Sequence, residues 1–382
     1  MRTYLIVIDS FGAGADTRAA DFGDEGSNTM LHASMAIPGR KWRFLRQMGL
    51  GNAASLVGFQ PEGCLAVEKP LASYGILQKE GPGKDTLTGH WELAGLVTDM
   101  SMRIFPPAYP SFPSDLISRL EKVAGRPILG NRAASGTQII QELGPEAYDR
   151  QAVIAYTSAD SVLQLAAHEE AVPLEELYRI CEEARLICDD YQVGRVIARP
   201  FIGNPKEGYT RTAGRHDYSI QKPGQSDLED RLHGEGWVVI GVGKINDIFN
   251  GDGIDVSYPD KGNTACFARV LELAGHPQAA PSAKELIFVN LVDTDMEYGH
   301  RRDPEGYCRE VERVSAFLEE LWALCVRGDK VIVTADHGCD PTFRGTDHTR
   351  EYVPLLVMER GRRKPATSLG ILDSFAACMG YI

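Results

Sequence analysis

A short apolar run near the end of the chain is followed directly by charged side chains. Residues 331–333 (Val-Ile-Val) lead into residues 335–338 (Ala-Asp-His-Gly), which predicts a buried strand that ends in a carboxylate and an imidazole. His348 lies eleven residues after His337, in a loop rich in Gly, Asp and Thr that can return to the same point. Burying these groups together is unfavourable unless a cation neutralises them. The sequence therefore predicts a metal site.

Two other predicted strands also end in acidic residues. Asp9 follows the run 5–8, and Asp293 and Asp295 follow the run 286–292, with His300 five residues beyond Asp295. Because ligands bind at the carboxyl ends of strands in open parallel sheets, we expect these side chains at one edge of a sheet. A single Asp at a strand end is often only a helix cap. Three such strands, two of them with a nearby His, favour metal binding.

The chemical types of the candidate ligands restrict the metal and the reaction. The set combines carboxylates with imidazoles: Asp9, Asp295, His300, Asp336, His337 and His348. Without thiolates, it suits Mn, Zn, Fe or Mg rather than a structural Cys-rich zinc site. Six ligands exceed the needs of one tetrahedral ion, whereas a pair of divalent ions about 3.5–4 Å apart would use them and would favour phosphoryl transfer or hydrolysis.

Length, charge and cysteine usage exclude several classes of protein. The chain has 382 residues, enough for two domains with a core each, and its net charge of −13 argues against a nucleic-acid partner. Its apolar runs are shorter than the roughly 18 residues of a membrane span, and the run at residues 4–8 is too short for a signal peptide. Eight cysteines without a Cys-x-x-Cys pair are typical of reduced, buried thiols. We therefore expect a cytoplasmic protein with no membrane partner.

The order of the patterns indicates how the chain is divided into domains. Apolar runs alternate with amphipathic helical patterns, which predicts an α/β fold with a mostly parallel central sheet. The segment 98–222 differs, because it holds a Pro-rich stretch, two predicted helices and an Arg-rich segment. We expect a smaller α/β cap domain at 98–222, inserted into a catalytic core domain formed by 1–97 and 223–382.

The best-marked helix is predicted between Asp303 and Gly328. Its apolar positions are spaced by three and four residues, at Val311, Val314, Phe317, Leu318, Leu321, Trp322 and Cys325. Asp303 is expected to cap the start, and Gly328 is expected just after the end.

A glycine-rich segment at residues 81–92 is the second chemical signal, and it reads Gly-Pro-Gly-Lys-Asp-Thr-Leu-Thr-Gly-His-Trp-Glu. A Gly-rich turn that enters a helix offers backbone N–H groups and the positive end of the helix dipole to an anion. Thr86 or Thr88 is a candidate nucleophile activated by a metal. The alternative is that a Thr only caps the helix. The spacing of a Walker loop is absent.

Basic residues form a third signal. Four arginines lie in the predicted cap at positions 195, 199, 211 and 215, and Lys244 follows the predicted strand 238–242. Clustered Arg side chains can hold a phosphate through bidentate contacts, although any one of them can equally be solvated or paired with a Glu. Asp160 is ambiguous, because Asp is common in turns. His90 and His168 are expected to be helix or loop residues with local hydrogen bonds.

Six separated blocks of the sequence resemble the phosphopentomutase family, which belongs to the alkaline phosphatase superfamily. They read Asp-Ser-Phe-Gly-Ala-Gly at 9–14, Gly-Lys-Asp-Thr-Leu-Thr-Gly-His-Trp-Glu at 83–92, Tyr-Thr-Ser-Ala-Asp-Ser at 156–161, Gly-Arg-Val-Ile-Ala-Arg-Pro at 194–200, Gly-His-Arg-Arg-Asp-Pro at 299–304, and Thr-Asp-His-Thr-Arg-Glu at 346–351. The similarity runs from about residue 1 to residue 357. It implies an alkaline-phosphatase-like core with an inserted cap.

The resemblance also implies a role for each candidate residue. Thr86, rather than Thr88, matches the threonine that carries the phosphoryl group, and Asp160 matches an acid close to it. The first metal is matched by Asp9, Asp336 and His337, and the second by Asp295, His300 and His348. Family members typically use two Mn²⁺ ions. Groups that hold the sugar phosphate are matched by Arg195, Arg211 and Lys244.

The reaction that the resemblance implies interconverts α-D-ribose 1-phosphate and D-ribose 5-phosphate, and the 2-deoxyribose equivalents, in nucleoside catabolism. The phosphorylated threonine gives its phosphoryl group to the monophosphate, and a 1,5-bisphosphate returns the other one. A sugar bisphosphate is the expected activator. The cap would act as a lid that excludes water, since water would hydrolyse the phosphothreonine.

Two features depart from the family pattern. Family members commonly have Asn after Asp-His-Gly, where this chain has Cys339, so metal preference or redox sensitivity is expected to differ. The Gly-x-Ser-Phe segment usual near the family's C terminus is absent, so looser packing beside the site is expected. The alternatives are a two-metal phosphatase or phosphomutase of the same superfamily that acts on another sugar phosphate, and a non-catalytic binding paralogue.

Overall fold

The computed structural model describes residues 1–158, 161–276, 283–362 and 364–382. The chain forms two compact units. The first unit comprises residues Met1–Met100 and Lys222–Ile382, and the second comprises Ser101–Gln221. None of the helices in the described ranges is both long enough and apolar enough to cross a membrane.

Strands and helices alternate along most of the described chain. The strands are β1 (Arg2–Ile8), β2 (Ser73–Leu77), β3 (Ile128–Ala133), β4 (Val153–Thr157), β5 (Val162–His168), β6 (Arg195–Asn204), β7 (Gly208–Arg211), β8 (His216–Ser219), β9 (Trp237–Val242), β10 (Val256–Tyr258), β11 (Lys284–Leu291), β12 (Lys330–Thr334), β13 (Val353–Glu359) and β14 (Ser368–Leu372). The α-helices are α1 (Ala19–Phe22), α2 (Thr29–Met35), α3 (Arg43–Met48), α4 (Leu50–Ser55), α5 (Thr86–Leu93), α6 (Ser114–Ala124), α7 (Gly136–Asp149), α8 (Leu174–Asp189), α9 (Ile245–Ile248), α10 (Asn263–Gly275) and α11 (Pro304–Leu324). Helical segments of π or 3₁₀ type are Leu228–Leu232, Thr294–Gly299 and Phe375–Tyr381.

The first unit is built on an eight-stranded sheet with the order β10-β9-β11-β1-β12-β13-β2-β14. Strand β1 lies inside the sheet, parallel to β11 on one side and to β12 on the other. The pairs β9–β11, β9–β10 and β2–β14 are also parallel, whereas β13 is antiparallel to both neighbours. The predicted α/β fold with a mostly parallel central sheet is confirmed.

Continuous apolar runs form the centre of this sheet, as expected for parallel strands buried on both faces. Every residue of β1 is buried, and β11 and β12 are each buried after their first residue. Helix α11 begins as predicted, with the Asp303 carboxylate accepting a hydrogen bond from Gly306 N at 2.8 Å. Its predicted end at Gly328 is wrong. The helix stops at Leu324 because Cys325 is extended, and a turn held by Asp329, whose carboxylate accepts from Val326 N, leads into β12.

The second unit is a smaller α/β body with its own sheet. Its strand order is β3-β4-β5-β6-β7, and β8 also pairs with β6. Alternate residues of β4 belong to two separate apolar clusters. Val153 and Ala155 join the cluster of α6 and α8, while Ile154 and Tyr156 join that of α7. Because successive strand residues point to opposite faces, helices cover both faces of this sheet.

Candidate metal centre

The acidic residues predicted at strand ends lie along one edge of the main sheet. Asp9 follows β1, Asp295 follows β11 and Asp336 follows β12, and these three strands are adjacent and parallel. Lys244 follows β9, the next strand beyond β11. The topology therefore gathers side chains from distant parts of the sequence, as expected for the carboxyl edge of a parallel sheet.

Two groups of side chains in the described ranges place their ligand atoms within 4.8 Å of one another. One group is Asp9, Asp295 and His337, and the other is Asp295, His300 and His348. His337 Nε2 lies 3.5 Å from Asp9 Oδ1. The Nε2 atoms of His300 and His348 lie 3.3 and 3.4 Å from the Asp295 carboxylate. The shared Asp295 makes the two groups neighbours.

Asp336, the remaining predicted ligand, lies beside the first group. One of its oxygens is 3.2 Å from His337 Nε2, and the other accepts a hydrogen bond from Ser10 N at 3.0 Å. By contrast, the Asp293 carboxylate accepts a hydrogen bond from Asn263 N at 2.9 Å at the start of α10. Of the two acids that follow β11, Asp293 therefore acts as a helix cap and only Asp295 joins the cluster.

The donor set fits divalent cations. Each of three buried carboxylates keeps one oxygen without a hydrogen-bond partner in the described chain, namely Asp9 Oδ1, Asp295 Oδ1 and Asp336 Oδ2. The Nδ1 atoms of His300 and His337 lie 2.6 and 3.1 Å from the carbonyls of Thr346 and Gly338. Because Nδ1–H donates to a carbonyl, Nε2 is the ring nitrogen that faces the carboxylates, and it can bind a metal once it carries no proton.

The electrostatics of the cluster also favour a cation. Burial and the neighbouring Asp336 and Asp295 carboxylates raise the pKa of Asp9 to about 7, although the Lys244 ammonium acts against this rise. Burial would lower the pKa of His337, but Asp336 raises it to about 10. Burial would likewise raise the pKa of Asp336, but His337 and His90 hold it far below its usual range. Without a metal, therefore, protons neutralise part of the charge that a divalent cation would neutralise.

Thr86 and Thr88 differ in what they contact. Thr86 is the first residue of α5, and its Oγ1 lies 3.1 Å from His337 Nε2. Thr88 Oγ1 instead donates to the Asp85 carboxylate at 2.7 Å, and the same carboxylate caps the helix by accepting from Thr88 N at 3.0 Å. The glycine-rich segment at residues 81–92 thus contains both a helix cap and a hydroxyl beside the cluster. Only Thr86 reaches the candidate ligands.

Two buried residues beside the cluster were not predicted as site residues. His90 Nδ1 lies 3.1 Å from Asp336 Oδ2 and 2.9 Å from the Thr86 carbonyl, so its contacts extend beyond the local bonds expected of it. Asn290 lies within β11, and its Nδ2 donates to Asp9 Oδ2 at 2.8 Å. The available signal was an amide in an otherwise apolar run, because a buried polar side chain needs a partner. The local assignment of His168 is wrong, because it is the last residue of β5 and its Nε2 lies 2.9 Å from the carbonyl of Gly203, 35 residues away, while only the contact of its Nδ1 with Glu170 N is local.

A buried arginine holds the loop that precedes Thr86. Arg350 is 1% exposed, and its guanidinium donates to the carbonyls of Lys79, Gly81 and Gly83 and to the Asp16 carboxylate. Arg350 lies two residues after His348, so one short segment carries a candidate ligand and fixes the loop of the candidate nucleophile.

The predicted phosphate-binding arginines occupy strands of the second unit. Arg195 begins β6 and lies 3.7 Å from the Asp217 carboxylate, while Arg211 ends β7 with its Nη2 3.4 Å from the Tyr156 hydroxyl. Arg199 Nε donates to Gln164. Burial and neighbouring arginines lower the pKa of Arg199 to about 10, which reflects a concentration of positive charge. Asp160 lies outside the described residues.

The two departures from the family pattern have clear positions. Cys339 is buried, with its Sγ 4.0 Å from His300 Nδ1 and 3.8 Å from the Asp347 carbonyl. Near the C terminus, Ser374 Oγ and Phe375 N both donate to the Glu92 carboxylate on α5. Phe375 is fully buried. The expectation of looser packing at this point is wrong, because a Ser-Phe pair binds α5 without the preceding glycine.

Comparison with known proteins gives the family of the chain. Similar solved structures include the PH0037 protein from Pyrococcus horikoshii, with 12% identity, 94% of this chain and 88% of that chain covered, and a TM-score of 0.45. They also include a phosphoglycerate mutase from Leishmania mexicana, with 13% identity, coverage of 93% and 89%, and a TM-score of 0.41. A third is the C-terminal periplasmic domain of EcEptC from Escherichia coli, with 13% identity, coverage of 36% and 52%, and a TM-score of 0.28. The family model of the Metalloenzyme superfamily matches residues 1–380, so the chain belongs to the Metalloenzyme superfamily.

Proposed function

We propose that this protein is a phosphopentomutase, which interconverts α-D-ribose 1-phosphate and D-ribose 5-phosphate, and the 2-deoxyribose equivalents, through a phosphorylated Thr86. The observation that carries the proposal is the position of the Thr86 hydroxyl, 3.1 Å from His337 Nε2 at the start of α5. A hydroxyl in this place, beside buried carboxylates with unpartnered oxygens, supports phosphoryl transfer. The six sequence blocks that resemble the family support the choice of substrate.

Two divalent cations, which we propose to be Mn²⁺, would be held by the six predicted ligands. Asp9, Asp336 and His337 would hold one, and Asp295, His300 and His348 would hold the other. Bound there, the cations supply the positive charge that stabilises a transferring phosphoryl group and lowers the pKa of a threonine hydroxyl.

The chain itself prepares Thr86 for a negative charge. As the first residue of α5, it lies where the N–H groups of the first turn and the positive end of the helix dipole favour an anion such as phosphothreonine. The carbonyl contacts of Arg350 restrict the loop that leads to Thr86. A fixed loop lowers the entropic cost of bringing the hydroxyl oxygen to the phosphorus atom.

The proposed reaction balances without any further reactant. The P–O bond to Thr86 Oγ1 breaks, a P–O bond to the free sugar hydroxyl forms, and the proton of that hydroxyl passes to Thr86 Oγ1. The resulting 1,5-bisphosphate then returns its other phosphoryl group to Thr86 by the reverse exchange. A sugar bisphosphate activates the enzyme because it phosphorylates Thr86 at the start.

As part of the proposal, substrate binding is assigned to Arg195, Arg211 and Lys244, and a catalytic role is assigned to Asp160. The arginines offer forked donors that match phosphate oxygens. We expect Arg195→Ala to raise the KM for the sugar phosphate while the protein still binds its metal. Loss of metal in this variant would contradict the assignment. We also propose that the enzyme acts in the cytoplasm, on pentose phosphates from nucleoside breakdown.

The decisive experiment follows phosphate by ³¹P NMR with α-D-ribose 1-phosphate, Mn²⁺ and a trace of sugar bisphosphate. A mutase forms ribose 5-phosphate, whereas release of free phosphate would refute the mutase and indicate a phosphatase. Mass spectrometry should find the phosphate on Thr86. The matched pair is Thr86→Ala and Thr88→Ala. The first should abolish turnover. The second should keep it, because the Thr88 hydroxyl bonds the carboxylate of Asp85, the residue that caps α5, and not the cluster.

A further inference from the structure

We propose that His90 and Asn290 are positioning residues that hold the carboxylates of Asp9 and Asp336, and the backbone of Thr86, in the arrangement that the metal centre needs. The inference rests on the proposed function, in that it concerns the same centre. Neither residue belongs to the two candidate ligand groups found in the described chain. They would act through the ligands and the nucleophile.

The two side chains form one continuous chain of contacts between the acids. Asn290 Nδ2 lies 2.8 Å from Asp9 Oδ2 and 3.3 Å from His90 Nε2. On the opposite side of the ring, His90 Nδ1 lies 3.1 Å from Asp336 Oδ2 and 2.9 Å from the Thr86 carbonyl. One path therefore connects a ligand after β1, a ligand after β12 and the first residue of α5.

The chemistry of the amide sets the direction of the hydrogen bonds. If the Asn290 amide were reversed, its oxygen would face the Asp9 carboxylate, and two acceptors would meet. With Nδ2 in that place, one N–H serves Asp9 and the other serves His90 Nε2. His90 Nε2 is therefore the acceptor, and the ring proton lies on Nδ1, which donates to the Thr86 carbonyl at 2.9 Å and lies 3.1 Å from Asp336 Oδ2.

Burial makes this path stiff. His90 and Asn290 are both fully buried, and the His90 ring stacks on Phe288 with centroids 5.9 Å apart and an interplanar angle of 26°. Buried polar groups that lose a partner are destabilised by much more than exposed ones, so the two residues restrict where the acids can move. Asn290 binds Asp9 through Oδ2, which leaves Asp9 Oδ1 available to a cation.

The test measures Mn²⁺ binding by titration calorimetry, with ion stoichiometry from electron paramagnetic resonance, and so does not depend on turnover. We expect His90→Ala and Asn290→Ala each to weaken one of the two ions about 10- to 100-fold, while the other keeps the affinity of the unaltered protein. His90→Gln should recover most of the loss, since its amide can donate and accept as the ring does. The double variant should lose less than the product of the single losses, because the residues act in series.

The matched control is His168→Ala, which removes another buried histidine that contacts a backbone carbonyl, that of Gly203. It should leave both Mn²⁺ affinities unchanged. If the folded His90→Ala, His90→Gln and Asn290→Ala proteins all bind both ions at normal affinity, the inference is overturned and the proposed function is not. No Mn²⁺ binding by the unaltered protein would overturn the proposed function and the inference together. Circular dichroism establishes folding for each variant, and Asn290→Ala decides the outcome if His90→Ala does not fold.

Discussion

Replacing Arg350 by Ala should destabilise the first unit more than the loss of any surface ion pair. The guanidinium is 1% exposed and donates to three backbone carbonyls, those of Lys79, Gly81 and Gly83. Its Nε lies 2.7 Å from an oxygen of Asp16, whose side chain is fully buried. Alanine would remove all four donors and leave a buried carboxylate without its counterion.

The magnitude follows from this burial. Breaking a buried ion pair by removing one partner costs about 3–5 kcal/mol, because the other charge stays in a medium of low polarity. An exposed pair contributes about 0–1 kcal/mol. Arg309 provides the control, since it pairs with Glu305 on α11 and both side chains are at least half exposed. We therefore expect a loss of about 3 kcal/mol or more for Arg350→Ala and of less than about 1 kcal/mol for Arg309→Ala.

Urea denaturation followed by tryptophan fluorescence suits this measurement, because all four tryptophans lie in the first unit: Trp42, Trp91, Trp237 and Trp322. The Asp16→Asn change should by itself cost less than Arg350→Ala, and the double variant should lose less than the sum of the two. Equal stabilities of Arg350→Ala and Arg309→Ala would refute the reasoning. The same variant should also show slower phosphorylation of Thr86, measured by mass spectrometry over time.

Three further predictions concern the same edge of the sheet. Mn²⁺ binding should release at least about one proton per protein at about pH 8, because His337 has a pKa of about 10 and must lose its proton to bind; calorimetry in Tris and HEPES would detect this. Gly89→Ala should cost about 1–3 kcal/mol in urea denaturation, because the new Cβ would lie 2.4 Å from the Asp336 carbonyl oxygen, whereas Gly234→Ala meets open space. Burial and the nearby Asp340 raise the pKa of Glu351 to about 7, so its contribution to stability is full below about pH 4.5 and is lost as the pH rises through 7; Glu351→Gln should remove that slope from the urea stability profile.

Much of the candidate site could be predicted from the sequence because parallel sheets bring strand ends together. Asp9, Asp295 and Asp336 are far apart in the chain, yet each follows an apolar run, and these runs became three adjacent strands. The pattern did not separate Asp295 from Asp293, since a strand end gives no information on which neighbour points to the sheet edge and which caps α10. That choice depends on where Asn263 lies.

The errors and omissions have a common physical origin in contacts between distant residues. A glycine can follow a helix directly or after a turn, so Gly328 did not reveal that α11 ends at Leu324. Thr86 and Thr88 have the same chemistry and differ only in whether the hydroxyl meets Asp85 or His337. His90 received a local assignment because its partner Asp336 lies 246 residues away.

The position of Cys339 explains how the cluster tolerates a sulfur at its border. A cysteine binds metal as a thiolate, but burial raises the pKa of Cys339 to about 12, so the thiol keeps its proton. Its sulfur lies 4.0 Å from His300 Nδ1, whereas the opposite ring atom, Nε2, lies 3.3 Å from Asp295. The sulfur therefore packs behind a candidate ligand and does not compete with it. The amide of an Asn at this position could form a hydrogen bond with the His300 ring, whereas the Cys339 thiol mainly fills space. The orientation of the His300 ring therefore depends on its contact with the Thr346 carbonyl.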